Sequence, residues 1–240
     1  MAFYGKLKKK LKKPFHTAVI VAAGSSERMG RDKLLLPLGG VPVLVRTLRA
    51  FESSGCVDEI IVVTREDRLE EIAALRDKYV IRKMTKVVIG GDTRMGSSLA
   101  GVFAADKRAT LIGIHDAARP LVTPEIIEAA YAMAEKRQAA APVIPLKDTV
   151  KELENDALYR TPARDGLAAV QTPQVFHADL IRAALTNAVE QKLELTDDCA
   201  AVEAIGLPVA AVDGSEENIK ITTPLDITLA EEILRRRGQL

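Results

Sequence analysis

The chain has 240 residues, of which 48% are hydrophobic and 28% charged, and its formal net charge is +1. This composition is typical of a globular protein, and no apolar stretch approaches the ~18 residues of a transmembrane helix. Two widely separated cysteines, Cys56 and Cys199, exclude a disulfide framework and a cysteine metal cluster. They predict reduced thiols in a cytoplasmic protein, and no apolar segment of a cleaved signal peptide follows the N-terminus.

Residues 1–15 form a basic tail with six lysines and no acidic residue, so the rest of the chain is net negative. A negative body argues against general binding of nucleic acid. Two interpretations of the tail stay open. It is either a solvated terminus or a short helix, with Leu7 and Leu11 on one face, that contacts an anionic membrane surface.

After the tail, short apolar runs alternate with amphipathic stretches. The runs predict buried strands at 16–23, 59–64, 85–90, 110–116 and 140–146. The stretches between them predict helices at 41–54, 65–79, 95–106 and 123–137. This alternation predicts an α/β fold with a mostly parallel sheet covered by helices on both faces.

The alternation stops near residue 147. Residues 147–172 have alternating charges and turn signals at Asn155-Asp156 and Asp165-Gly166, which predict a projecting β-hairpin arm. Such an arm buries little against its own body, so we expect it to pack on a second copy of the chain in a homodimer. The remaining residues predict a helix at 177–191, a helix beginning at Thr196, a strand at 208–214 and a helix at 224–237 capped by Thr223.

Several stretches indicate chemistry at the ends of the predicted strands. A Gly-Ser-Ser turn at 24–26 follows the first strand, and Arg28 and Lys33 come shortly after it. Neither a dinucleotide fingerprint nor a P-loop is present, but exposed backbone N–H groups and two cations suit a triphosphate. The alternative is an ordinary basic surface loop.

Two further strand ends carry similar signals. "GGDTRMGSS" (90–98) places a glycine pair before a helix, and the alternative is a simple turn. "HDAARP" (115–120) places Asp116 at a buried strand end, where it needs a metal, a hydroxyl or a cation; a plain ion pair with Arg119 is the alternative. "NIKITTP" (218–224) adds Lys220 before the last helix.

In this order along the chain, these stretches together with "KDTVK", "QTPQVF" and "TDDCAAVE" resemble the 2-C-methyl-D-erythritol 4-phosphate cytidylyltransferase family over roughly residues 16–237. The resemblance implies one nucleotidyltransferase (Rossmann-like) α/β domain, residues 16–240, with a β-arm that interlocks two subunits. It implies transfer of a cytidylyl group from CTP to 2-C-methyl-D-erythritol 4-phosphate, with release of pyrophosphate and a requirement for Mg²⁺.

The resemblance also implies roles for individual residues. Arg28 and Lys33 match a pair that stabilises the transition state, and Arg164 and Lys220 match the pair that positions the acceptor phosphate. Arg164 lies in the arm and is expected to complete the neighbouring subunit's site. Contacts to CTP are implied for Ala22, Ala23, Gly24, Gly91, Asp92, Ser97, Asp116, Ala117 and Arg119. Contacts to the acceptor are implied for Thr149, Arg164, Thr172, Thr196 and Lys220.

The implied chemistry needs no general base, because a phosphate monoester is already ionised near neutral pH. In agreement, His16, His115 and His177 have no paired arrangement in the sequence. Mg²⁺ is expected to be held mainly by the triphosphate, with Asp116 as the protein ligand. The alternatives are the related ribitol 5-phosphate cytidylyltransferase activity, a non-catalytic binding module, and a glycosyltransferase, which would carry an Asp-x-Asp pair that is missing at the strand ends.

Overall fold

The computed structural model describes residues 13–24 and 33–240. Within them the strands are β1 (Phe15–Val21), β2 (Pro37–Leu38), β3 (Val41–Pro42), β4 (Glu59–Thr64), β5 (Met84–Ile89), β6 (Ala109–Asp116), β7 (Ala139–Pro145), β8 (Glu152–Glu154), β9 (Ala157–Arg160), β10 (Ala168–Val170), β11 (Gln174–His177) and β12 (Ala210–Asp213). The helices are α1 (Val43–Ser53), α2 (Leu69–Tyr79), α3 (Arg94–Ala104), α4 (Pro124–Arg137), α5 (Ala178–Glu190), α6 (Cys199–Ala204) and α7 (Pro224–Arg236).

One large sheet runs in the order β10-β7-β11-β6-β1-β4-β5, and β12 pairs with β7. The pairs β6–β1, β1–β4, β4–β5 and β7–β12 are parallel. All six residues of β4 are buried, which explains why such strands appear in the sequence as continuous apolar runs. The predicted α/β fold with a mostly parallel sheet is therefore confirmed.

Helices cover both faces of this sheet, as predicted. Ile20 of β1 packs in the apolar cluster formed with α1, α2, α4 and α7. Its neighbour Val19 belongs to the cluster formed with α3, α5 and α6. This division follows from strand geometry, because successive side chains of a strand point to opposite faces. No helix in the described part of the chain has the length and hydropathy needed to cross a bilayer.

The prediction missed β11, which lies between β6 and β7 and is antiparallel to both. Only Val175 and Phe176 are apolar in its four residues, so the strand is defined by its partners rather than by its own pattern. The prediction also placed the start of α6 at Thr196, whereas the helix begins at Cys199. A residue distant in the sequence sets the start of the helix, because Gln174 Oε1 accepts hydrogen bonds from the backbone N–H groups of Asp198 and Cys199, at the end of the bend of residues 196–198.

Strands β8 and β9 form a separate two-stranded hairpin. Its turn residues Asn155 and Asp156 have φ of 50° and 61°, the left-handed conformation that the turn signal predicts. Leu153, Leu158 and Tyr159 are exposed on it. The interval predicted for the arm, 147–172, is too long at its C-terminal end, because β10 pairs with β7 in the main sheet and Thr172 is buried.

Helix α3 lies unusually close to the sheet at Gly101. A β-carbon at this position would overlap Val19 Cγ1 and come within 2.7 Å of Val63 Cγ2. Glycine is therefore required for α3 to pack directly on β1 and β4. This packing fixes the N-terminal end of α3, which lies at the edge of the sheet where β1 and β4 end.

We expect Gly101→Ala to lower the free energy of unfolding by about 1–3 kcal/mol, since overpacking outweighs the better helix propensity of alanine. Urea denaturation of both proteins measures this difference. Gly55→Ala is the matched control, because its β-carbon would have its nearest neighbour at 3.7 Å, an ordinary contact. Equal stabilities of Gly101→Ala and the wild type would contradict the close packing described for α3.

Candidate active site

A cavity of about 550 Å³ opens at the carboxyl ends of β1, β4, β5 and β6. Open parallel sheets bind ligands at this edge, because the loops after adjacent strands meet there. Its walls include Ala22 to Gly24 after β1, Thr64 to Glu66 after β4, Gly90 to Arg94 after β5, and Asp116 to Ala118 at the end of β6. Lys33 and Lys220 also line it.

The structure gathers most of the residues that the sequence assigned to CTP. The residues of that set that line the cavity are Ala22, Ala23, Gly24, Gly91, Asp92, Ser97, Asp116 and Ala117. Arg119 lies behind Asp116, with its Nε 3.5 Å from Asp116 Oδ2. Arg28 and residues 1–12 of the basic tail lie outside the described residues.

The loop between β5 and α3 is shaped by small residues. A β-carbon on Gly90 would come within 2.6 Å of Ser97 Oγ and 2.8 Å of Ala23 Cβ. Ser97 Oγ donates to the carbonyl oxygens of Gly91 and Thr93, at 3.2 and 3.0 Å. Thr93 caps α3 by accepting from the N–H of Gly96. The glycine pair therefore lets this loop fold tightly against the start of α3 and the end of β1.

Asp116 is the electrostatic centre of the cavity wall. Its Oδ2 lies 2.9 Å from Lys220 Nζ and 3.5 Å from Arg119 Nε, and its Oδ1 lies 3.6 Å from Arg94 Nη2. Burial would raise the pKa of this carboxyl, but Lys220, Arg94 and Arg119 together lower it to about 2. The ion pair with Arg119, which was the alternative interpretation of Asp116, exists as one part of a larger cluster of charges.

His115 is fully buried beside this cluster and takes part in a chain of hydrogen bonds. Its Nε2 lies 3.2 Å from the carbonyl oxygen of Arg119, which can only accept, so Nε2 carries the proton. Nδ1 then accepts from Thr172 Oγ1 at 3.0 Å, and Thr172 Oγ1 accepts from the N–H of Asp116 at 3.1 Å. Burial lowers the pKa of His115 to about 4, so the ring is neutral near pH 7.

The residues that the sequence assigned to the acceptor are only partly brought together. Lys220 lines the cavity, and Thr172 is buried beneath Asp116. Thr149, Arg164 and Thr196 are exposed and do not line the cavity. Arg164 Nη1 donates to the carbonyl oxygen of Lys147, 2.7 Å away, next to the β8–β9 hairpin.

Two charged residues of this region, Arg94 and Asp198, were not predicted from the sequence. Arg94 lines the cavity, and its Nη2 lies 2.8 Å from Oδ2 of Asp198, which is 1% exposed. Burial raises the pKa of Asp198, and the positive charge of Arg94 opposes that rise. Arg94 lies between Gly91 and Ser97 in a stretch that the sequence analysis singled out, so its position was a usable signal. Asp198 lies in the quoted stretch "TDDCAAVE", but its partner could not be predicted because the contact to Arg94 spans 104 residues.

A second missed group holds Lys220 in place. Asn218 is buried, and its Nδ2 donates to Gln171 Oε1 and to the carbonyl oxygen of Thr172, at 3.2 and 3.1 Å. The carbonyl oxygen of Asn218 accepts from Arg119 Nη1 at 2.8 Å. These bonds fasten the segment before α7 to the segment before β11, and Lys220 is thereby placed against Asp116.

The chain matches one family of known proteins over most of its length. The model of the family described as 2-C-methyl-D-erythritol 4-phosphate cytidylyltransferase matches residues 16–236. The chain belongs to this family. Proteins of that name from Caldanaerobacter subterraneus subsp. tengcongensis and Halalkalibacterium halodurans are 43% and 40% identical to it, each over 224 residues. These matches cover 92% of this chain and 99% and 98% of the relatives.

Solved structures agree with the family assignment. The crystal structure of 4-diphosphocytidyl-2C-methyl-D-erythritol synthase from Anaerococcus prevotii matches with a TM-score of 0.83 at 33% identity. The match covers 93% of this chain and 99% of that one. A 2-C-methyl-D-erythritol 4-phosphate cytidylyltransferase from Thermus thermophilus matches with a TM-score of 0.74 at 33% identity, over 90% and 98% of the two chains.

The buried neutral His115 gives a prediction about acid stability. Its pKa is about 4 in the folded protein and about 6.5 in the unfolded chain, so protons bind the unfolded chain first as the pH falls. Above pH 6.5 the ring is neutral in both states and has its full stabilising effect. As the pH falls from 6.5 to 4, this ionisation lowers the free energy of unfolding by up to about 3 kcal/mol.

We therefore expect the free energy of unfolding to fall less steeply in His115→Gln than in the wild type between pH 7 and 4.5. Urea denaturation at several pH values measures the two slopes. His177→Gln, which removes an exposed imidazole, is the control. Identical slopes for His115→Gln and the wild type would contradict the buried, neutral state of this ring.

Proposed function

We propose that this protein transfers the cytidylyl group of CTP to 2-C-methyl-D-erythritol 4-phosphate, forming 4-diphosphocytidyl-2-C-methyl-D-erythritol and pyrophosphate. The observation that supports this most strongly is the cavity at the strand ends, whose wall carries an ionised Asp116 surrounded by Lys220, Arg94 and Arg119. Family membership over residues 16–236 supports the same reaction and favours this acceptor over ribitol 5-phosphate.

In the proposed reaction an oxygen of the acceptor phosphate attacks the α-phosphorus of CTP. A new P–O bond forms as the bond to the departing pyrophosphate breaks on the opposite side. Both reactants are anionic, so the protein must offset their repulsion and hold them in line. The neutral, fully hydrogen-bonded His115 fits a mechanism that requires no general base.

The positions of the cavity residues support a division of roles. The backbone of Ala22 to Gly24 and the loop of Gly91 and Asp92 would hold the nucleotide, with Ser97 bracing that loop and Ala117 beside the ribose. Lys33 would stabilise the charge that develops on the triphosphate. By the family resemblance Arg28 shares that role. Lys220 would position the acceptor phosphate, and Arg119 keeps Asp116 ionised.

We also propose that Mg²⁺ accompanies CTP. No group of three or more His, Cys, Asp or Glu side chains in the described residues could hold a metal by itself. The ionised carboxylate of Asp116 could supply one ligand, and the phosphate oxygens of CTP would supply most of the others. When bound, Mg²⁺ neutralises part of the phosphate charge.

The arm is the proposed site of dimer formation. Its apolar residues Leu153, Leu158 and Tyr159 are exposed, and the hairpin pairs with no other strand of the described chain. A second copy would bury these side chains. Arg164 and Thr149 lie near this hairpin rather than in the cavity of their own chain, so we assign them to the neighbouring subunit's acceptor site.

The decisive experiment measures pyrophosphate release from CTP and Mg²⁺ with and without 2-C-methyl-D-erythritol 4-phosphate. We expect release only when the acceptor is present. Ribitol 5-phosphate in place of that acceptor is the control for specificity. Faster release with ribitol 5-phosphate would contradict the proposed acceptor, and release with neither would contradict transferase activity.

Lys33→Ala should lower kcat by about two orders of magnitude, because a contact to developing charge contributes ~3 kcal/mol. CTP binding should weaken far less, since the backbone contacts of the cavity remain. Steady-state kinetics and calorimetry with CTP separate the two effects. Lys107→Ala, at an exposed position outside the cavity, is the control. A kcat near the wild-type value would contradict the proposal that Lys33 stabilises the transition state.

Sharing of the site between subunits predicts complementation. Arg164→Ala and Lys220→Ala should each have little activity alone. Coexpression gives mixed dimers in which one of the two sites has neither substitution, so activity should recover to about a quarter of the wild type under random pairing. The measurement is the initial rate of coexpressed and separately purified variants. No recovery in verified mixed dimers would place Arg164 in its own subunit's site.

A further inference from the structure

Arg94 contacts the carboxylates of both Asp198 and Asp116, and of these two residues only Asp116 lines the cavity. Its Nη2 lies 2.8 Å from Asp198 Oδ2 and 3.6 Å from Asp116 Oδ1. Its side chain is 30% exposed and lines the cavity, whereas Asp198 is 1% exposed and does not. The guanidinium therefore stands between a buried anion behind it and the open cavity in front.

Hydrogen bonds other than the contact with Arg94 also fix the position of Asp198. Its backbone N–H and that of Cys199 both donate to Gln174 Oε1, at 2.9 and 3.1 Å. Gln174 Nε2 donates in turn to Asp197 Oδ2 at 2.8 Å. Because Gln174 lies in β11, the carboxylate of Asp198 is fixed relative to the main sheet. A fixed carboxylate restricts the guanidinium of Arg94 to one orientation.

Arg94 and Lys220 also flank the same anion. Lys220 contacts Oδ2 of Asp116 and Arg94 contacts Oδ1, and both side chains line the cavity. Asp116 lies between the two cations and reduces their mutual repulsion. A guanidinium has five N–H donors, and two carboxylate contacts leave donors of Arg94 for a ligand in the cavity.

We propose that Arg94 binds the phosphate of the acceptor together with Lys220, and that Asp198 is a positioning residue that acts through Arg94. The inference rests on the proposed function and adds two residues to its acceptor site. The backbone of Arg94 begins α3, next to the proposed nucleotide loop, but its guanidinium faces the turn of residues 196–198 and shares Asp116 with Lys220. That direction favours the acceptor over the cytosine and ribose of CTP.

The position of Arg94 would also reduce the electrostatic repulsion between the two reacting phosphates. An acceptor phosphate must approach a second phosphate, and each added cation at the point of approach lowers that repulsion. Arg94 offers a planar fork that matches two phosphate oxygens, which a lysine cannot do. Asp198 holds Nη2 of this fork at 2.8 Å, closer than the 3.6 Å between the same nitrogen and Asp116.

The test compares Arg94→Gln, Arg94→Lys and Asp198→Asn with the wild type. We expect Arg94→Gln to raise KM for the acceptor roughly 10- to 100-fold, the effect of one lost charge-assisted hydrogen bond, while Kd for CTP stays within about twofold. Arg94→Lys should recover part of the loss because it retains the charge. Asp198→Asn should raise KM less than Arg94→Gln does.

The double variant Arg94→Gln/Asp198→Asn decides how Asp198 acts. If Asp198 works only through Arg94, the double variant has the same KM as Arg94→Gln, and it also removes the unpaired buried charge that could impair folding. Arg108→Gln is the control, because Arg108 forms an exposed ion pair with Asp106 at 2.8 Å. Independent, multiplying effects of the two substitutions would overturn the role of Asp198.

Equal losses of CTP and acceptor affinity in Arg94→Gln would overturn the assignment of Arg94 to the acceptor. Calorimetry with 2-C-methyl-D-erythritol 4-phosphate in the presence of CTP without Mg²⁺ measures acceptor binding apart from turnover. A wild type that binds both ligands but releases no pyrophosphate would contradict the proposed reaction alone. Unchanged acceptor binding in Arg94→Gln would contradict the inference alone.

Discussion

The charge on Asp116 is the interaction on which the cavity depends. A carboxylate this deeply buried is unfavourable alone, and three cations from separate parts of the chain compensate it. Arg94 comes from the start of α3, Arg119 from the loop after β6, and Lys220 from the segment before α7. The same charges that keep Asp116 ionised therefore hold three segments of the cavity wall together.

Neutral hydrogen bonds determine where that charge lies. Thr172 accepts from the N–H of Asp116 and donates to His115, so the segment before β11 is fastened to the end of β6. Asn218 joins the same segment to the one that carries Lys220. These bonds are made within the protein and exist before any ligand arrives. A site held this way spends little free energy on reorganisation during a reaction.

The sequence was most informative where local pattern and tertiary environment agree. Apolar runs predicted β1, β4 and β6, because strands buried on both faces consist mostly of such residues. The end of β6 then placed Asp116 at the ligand-binding edge. Strand β11 and Asp198 were missed although both lie in stretches that carry the family resemblance, because pairing partners and contacts distant in the sequence define them. The family resemblance supplied residue roles that spacing alone does not give.

The residues assigned to the nucleotide and those assigned to the acceptor are distributed differently in the structure. The residues assigned to the nucleotide meet at one sheet edge, where parallel strands and the cluster around Asp116 fix them. Of the residues assigned to the acceptor, Lys220 shares that rigid frame, whereas Arg164 lies beside a hairpin whose apolar side chains are exposed among residues 13–24 and 33–240. On the proposed assignment, dimer formation buries those apolar side chains against a second copy of the chain. The same step completes the acceptor site. On the same assignment Arg94, anchored by Asp198, belongs to the part of the acceptor site that a single chain forms by folding, whereas Arg164 belongs to the part that a second subunit would supply.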